Sequence, residues 1–243
     1  MISLILLVFS QDIVSYSVDK PFNQYIKVPA NGFQVYVSPD VKKDKELYER
    51  VKKIISNDTA SIKSKVPVNA YNVFRQIRIF IEYKKRNKEN DGAAFFSPVN
   101  NINEANKFMA DRKSIPQKLN SIEFATALVF AENNIESTLL HELGHAYHYH
   151  VVKFDNFEIK QVYTQAKDRM YFGTGHKVDD YAMKNEYEYF ADLTSGFFGV
   201  NSSGKITREW LKENDPEGYK MIEKYYKINS TKPIDKKKVA SQR

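Results

Sequence analysis

The chain has 243 residues, enough to bury one substantial core, and its 42% hydrophobic and 14% aromatic content against 9 Gly and 8 Pro excludes a disordered chain. Its net charge of +7 comes mostly from scattered lysines, with no Lys/Arg stripe interleaved with aromatics, which argues against a nucleic-acid partner and leaves a solvated surface that mildly favours acidic ones. Without cysteine there are neither disulfides nor thiolate ligands, so a metal ion would have to be held by His, Asp or Glu.

Met1 to Ser10 is apolar throughout, too short to span a bilayer and long enough for the apolar region of a secretory signal, with Gln11 as the mature start. The usual basic start is missing, and a buried first strand is the competing reading. No other run approaches transmembrane length, so the expectation is a secreted protein with no stable membrane insertion. Sequons at Asn57, Asn201 and Asn229 would carry glycans only in a eukaryotic secretory route. Residues 11–230 read as a single domain, and 231–243, with Lys236-Lys237-Lys238 at its middle, as a basic flexible tail.

In chain order, Phe33 to Val37 followed by Ser38-Pro39-Asp40 predicts a strand and a turn. Asp44 to Ser56 places Leu47, Val51, Ile54 and Ile55 at helical spacing. The alternation from Ile77 to Tyr83 predicts a strand near the sheet interior, closed by a charged surface loop from Lys84 to Asp91. Gly92 to Pro98 resumes an apolar run, and its closing proline places it at the sheet edge, where such a strand can pair with an extended peptide. A polar helical stretch around Asn103 to Arg112 is followed by a second strand-like run from Ser121 to Phe130. Asn134 to Val152 is then a helix, Phe154 to Met170 a surface helix, and Gly173-Thr174-Gly175-His176 a flexible connection. Asn185 caps a helix running from Glu186 to Phe197 or a little beyond, and Trp210 to Tyr226 forms a last one interrupted at Asp215-Pro216-Glu217-Gly218. Strands first and helices later imply an α+β fold.

Within the helix from Asn134, His141-Glu142-Leu143-Gly144-His145 is an HExxH motif. Two imidazoles four residues apart share one helical face and reach one tetrahedral ion, while Glu142 stands beside it as a base for water. A catalytic zinc needs a third protein ligand. A third His in the spacing of the metzincins is excluded, because Val151 occupies that position. The remaining source is a Glu from a later helix, and Glu186 and Glu188 are the two choices. Glu188 is preferred: Asp192 lies four residues on, on the same face, placed to accept the second N–H of a ligating His, whereas the corresponding neighbour of Glu186 is Phe190. His148 and His150 read as partly exposed residues of the helix end, favoured near its negative terminus, with His148 one turn from His145 and a candidate to support the ligands.

The HExxH stretch together with Glu188-Tyr189-Phe190-Ala191-Asp192 resembles the two signature helices of the anthrax lethal factor catalytic domain and the related Pro-Pro endopeptidases, a gluzincin group. The resemblance extends, over just over half the chain, from Gly92 to Tyr226, to uncharacterised and often secreted zinc-peptidase-like proteins. It implies a zincin-like metallopeptidase domain: a small mixed sheet whose edge strand borders the cleft, packed on the HExxH helix and followed by a helical C-terminal half. It implies a zinc cofactor on His141, His145 and Glu188, with Glu142 as general base and a peptide or protein substrate. In that group a Tyr seven residues before the ligating Glu helps to stabilise the oxyanion, and here that position is Tyr181. Pro-Pro endopeptidases carry two consecutive glutamates where this chain has Tyr187 before Glu188, so their specificity for proline does not transfer. A monomer is expected. The competing expectation from another class is a secreted zinc-binding or toxin-associated module that keeps the scaffold without turnover.

Overall fold

The structure is a computed structural model, and it describes residues 17–84, 94–132, 135–169, 181–199, 201 and 204–227. The expected signal at residues 1–10, the tail at 231–243, the charged loop beyond Lys84, the connection at 173–176 and Asn229 lie outside the described residues.

After a 3-10 turn at Phe22–Gln24 come β1 (Ile26–Val28), β2 (Gln34–Val37), α1 (Pro39–Lys43), α2 (Lys45–Lys65), α3 (Val68–Phe74) and β3 (Arg78–Ile81). The second half continues with β4 (Ala94–Phe96), α4 (Ile102–Arg112), β5 (Ile122–Phe124), α5 (Ala127–Glu132), α6 (Ile135–Tyr147), α7 (Phe157–Lys167), α8 (Glu186–Phe198), α9 (Arg208–Asn214) and α10 (Pro216–Tyr226). This is a mixed α+β fold with a small five-stranded sheet, ordered β1-β2-β3-β5-β4. The two parallel pairs, β2 with β3 and β3 with β5, form its middle, and β1 and β4 run antiparallel at its edges.

Alternation sorts the two faces of the sheet. Val35, Val37, Ile79, Ile81, Ile122 and Phe124 are buried on one face, in a core that runs on through Ile55 and Ile62 of α2, Phe74 of α3, Leu139, Leu140 and Leu143 of α6, Phe190 of α8 and Tyr226 of α10. The opposite face carries Tyr36, Phe80 and Glu123, covered by the segment from Asp19 to Tyr25 and by a 3-10 turn at Pro116–Lys118. There the Lys118 ammonium is buried among three carboxylates, 2.8 Å from Asp19, 2.5 Å from Glu82 and in contact with Glu123. Tyr25 donates its hydroxyl hydrogen to Glu82 at 2.6 Å, and Ser114 donates to Asp19 at 2.7 Å.

Three expectations are corrected. The run from Ser121 to Phe130 is a strand only over Ile122–Phe124; the chain then turns and Ala127–Glu132 is helical, because the two halves of this apolar run bury against different partners. The helix predicted to end at Ser56 continues to Lys65, where Ile62 extends its apolar stripe and the Val66 N–H closes its last turn. The helix predicted to reach Val152 is α-helical only to Tyr147, and His148–Val152 form a π-turn.

Candidate metal centre

Helix α6 carries the HExxH motif across the core, and α8 packs against it. Their approach depends on Gly144: a Cβ there would lie 3.0 Å from Ala191 Cα and 3.1 Å from Thr194 Cβ. Asn185 starts α8 by accepting hydrogen bonds from the Tyr187 and Glu188 N–H groups at 3.0 and 2.9 Å, so Glu188 stands in the first turn, where the helix dipole favours a carboxylate.

These constraints bring three donors together. His141 Nε2 lies 3.1 Å from Glu188 Oε2, His145 Nε2 lies 3.0 Å from the same oxygen, and the two Nε2 atoms are 3.0 Å apart. His141 Nδ1 donates to Asp192 Oδ1 at 2.7 Å, and Asp192 is fully buried. That bond leaves Nε2 of a neutral His141 with a lone pair aimed at the other two donors. Three lone pairs converging at this distance repel unless a proton or a metal ion sits among them, and donors held about 2.0–2.1 Å from one tetrahedral ion are themselves about 3.3 Å apart. The residues present therefore fit a metal ion. Glu186 stands half-buried in the same turn and has no part in this triangle.

Among the described residues, a second group of carboxylates within metal-binding distance is Asp19, Glu82 and Glu123, and the Lys118 ammonium already occupies it.

The charges agree with the triangle. In the absence of a metal, burial disfavours the His141 imidazolium, but the bonds to Asp192 and Glu188 outweigh it and raise the pKa to about 10. Burial likewise pushes Glu188 up, and the two imidazoles overcome it and hold the carboxyl well below the usual carboxylate range.

Glu142 is buried beside the ligands, and its Oε2 accepts the Phe96 N–H at 2.7 Å. The register explains this contact: Ser97 gives its N–H to Ser121 O at 3.1 Å and takes the Asn120 N–H at 3.0 Å, so the preceding residue directs its N–H away from β5, toward α6. Tyr181 stands before a 3-10 turn at Ala182–Lys184, with its ring 5.7 Å from that of His141 and its side chain half exposed, so it is not a packing residue. Burial first, then the charges of Glu188 and Glu142, push its pKa up to about 12, which keeps the phenol protonated; it hydrogen-bonds Glu188. Beside the triangle lies a groove of about 250 Å³, lined by Ala94, Phe95 and Phe96 of β4 and by Glu142, His145, Phe154, Tyr181, Tyr187 and Glu188.

His148 corrects the sequence reading. It is fully buried, boxed by Phe154, Tyr187 and Phe190 at centroid distances of 5.0, 5.7 and 4.7 Å. Neither ring nitrogen has a hydrogen-bond partner among the described residues, and burial, helped by His145, pushes its pKa down to about 3. His148 continues the face of α6 that carries His141 and His145, seven and three residues earlier, so it is covered by Phe154 and α8, whereas His150 within the π-turn is exposed, as expected for His150. What the sequence reading missed is the brace behind Tyr181. Tyr163 donates to Met183 O at 2.8 Å and so ties the 3-10 turn to α7; no motif marks Tyr163 among 16 tyrosines.

Of the sequons, Asn57 is exposed on α2, whereas Asn201 is buried with its Oδ1 accepting the Lys205 and Ile206 N–H groups, which leaves no room for a glycan. Among the described residues no helix is long and apolar enough to cross a membrane. No protein-family model and no curated protein matches this chain, so the case for a metal centre at His141, His145 and Glu188 rests on their convergence.

Proposed function

We propose that this chain is a secreted zinc metallopeptidase of zincin-like architecture, with the gluzincin ligand set His141, His145 and Glu188. The observation that carries this reading is the convergence of those donors within 3.1 Å of one another, beside a Glu142 that hydrogen-bonds the edge strand of a groove. Histidine and carboxylate ligands without cysteine are the donor set of catalytic zinc, whereas closed structural sites use Cys. The antiparallel edge strand against the HExxH helix supports the zincin-like assignment, and the apolar start at Met1–Ser10 supports export.

Zinc, when bound, supplies Lewis acidity at the carbonyl and at the attacking water. The chain's own residues do the rest. Glu142 takes the proton of water as it adds to the peptide carbonyl and delivers it to the departing amine. Tyr181, kept protonated by its surroundings, donates its hydroxyl hydrogen to the developing oxyanion. Asp192 fixes the tautomer and orientation of His141. The outer edge of β4 aligns an extended peptide along the groove.

The test is Glu142→Gln. Cleavage of casein or a peptide library is expected to be chelator-sensitive in the native protein and to fall by about 10²–10⁴ in the variant. Elemental analysis should still find the zinc of the native protein in the variant. Hydrolysis at the native rate in the variant, or no hydrolysis by the native zinc-loaded protein, would sink the proposal.

A further inference from the structure

Beyond Phe154 the groove does not stop. Phe154 also borders a second, larger cavity of about 580 Å³, whose walls include Asn100, Asn120, Tyr149, His150, Lys153 and Asp155. The two spaces lie along one line of chain. Tyr149 donates its hydroxyl hydrogen to Val99 O at 2.8 Å, the Asn120 side chain accepts the Val99 N–H at 2.8 Å, and the His150 ring stands 6.0 Å from that of Phe96. The continuation of the edge strand thus forms the common floor. From Phe96, whose N–H marks the position of Glu142, to Asn100 is roughly 13 Å of extended chain, a length spanned by about four residues of a bound peptide.

The wall opposite is built by an unusual backbone. Directly after the metal-binding helix, His148–Val152 form a π-turn, and Lys153 ends it at φ 77° and ψ 136°, a conformation that only glycine adopts without strain. A π-turn and a strained residue at the same point are features that collect at functional sites. Their joint result is to set an exposed ammonium at the rim of the cavity, parked on His150 O at 3.0 Å. Of the nearby carboxylates, Asp155 lines the same cavity and pairs with Lys160 at 2.9 Å, which offsets its charge, and Glu104 accepts from the Asn100 backbone at 2.8 Å. Lys153 is therefore the cation of this wall that a ligand can recruit, and a carboxylate replacing the His150 carbonyl as its partner brings a full opposite charge.

We propose that this cavity is a substrate subsite that selects a peptide carrying an aspartate or glutamate about three or four residues from the scissile bond, with Lys153 as its specificity-determining residue. The inference rests on the metallopeptidase reading for the scissile bond, but binding tests it without turnover. In the zinc-loaded Glu142→Gln protein, labelled peptides with an acidic residue placed at successive positions should bind several-fold more tightly than their amide counterparts at one position, the range an exposed ion pair allows. Lys153→Gly, which relieves the strained backbone while removing the charge, should abolish that preference and leave the folded protein as stable as before or more so. Lys153→Glu should turn the preference toward lysine at the same position.

Acidic and amide peptides binding equally, or a preference that survives both substitutions, overturns the subsite. Selective binding that depends on Lys153, together with no cleavage by the native protein, upholds the subsite and overturns only the peptidase reading.

Discussion

The electrostatics of the ligand triangle have an outcome that can be measured without a substrate. His141, raised to about 10 from an ordinary 6.5 in the metal-free protein, contributes stability that is fully present below pH 6.5 and is lost as the pH rises toward 10. Glu188, lowered from an ordinary 4.5, contributes stability that is present above pH 4.5 and is lost as the pH falls through its folded value. Both contributions are whole only between about pH 4.5 and 6.5. Metal-free protein should therefore lose resistance to urea between pH 6.5 and 10, and metal uptake, which requires His141 to give up its proton, should strengthen over the same interval. Urea titrations of the metal-free protein across that range decide it: a flat stability there would mean that Asp192 and Glu188 do not hold an imidazolium at His141. At this scale the convergence of the motif residues was legible because it follows from their spacing, and Asp192 was legible as the partner one turn beyond Glu188. The burial of His148 was not, because the rings that close over it, Phe154, Tyr187 and Phe190, come from later segments of the chain and no pattern around His148 announces them.

At the level of elements, the centre is a contact between two helices that only a missing side chain permits. Adding a Cβ at Gly144 gains about 1 kcal/mol of helix propensity, whereas overpacking a tight contact costs about 1–3 kcal/mol. Gly144→Ala should accordingly change the melting temperature of the metal-free protein little. It should instead push α8 outward by a few tenths of an ångström and carry Glu188 away from the imidazoles, so that zinc affinity falls several-fold. Competitive titration with a chelating dye reads this directly; an unchanged affinity would show that the spacing of α6 and α8 is set elsewhere. The edge strand was legible because Pro98 rules out a central position, and α8 because Asn185 is a strong cap. The strand-to-helix change after Phe124 was not, since an apolar run has no period that separates a buried strand from a buried helix.

Across the whole molecule, the sheet has two unlike faces, one apolar against the helices and one built round the Lys118 ammonium. The ion cluster was invisible in the sequence because Asp19, Glu82, Lys118 and Glu123 are scattered over a hundred residues and meet only when the sheet has formed. Lys118→Met should cost about 3–5 kcal/mol, since it leaves buried carboxylates without their cation. Denaturant unfolding measures the loss, and a change under 1 kcal/mol would mean that the carboxylates are neutral without it.

The cross-strand register gives this distant cluster a bearing on the groove. Glu123 of β5 lies opposite Phe95 of β4, so the strand on which the edge of the candidate site is hydrogen-bonded is held by the same ammonium that fastens the segment at Asp19. In hydrogen exchange the amides of β4 and those around Asp19 should therefore open as one cooperative unit, and in Lys118→Met both should exchange faster together. The rigidity of the groove wall is then inherited from an ion cluster on the far side of the sheet, which no peptide in the groove touches.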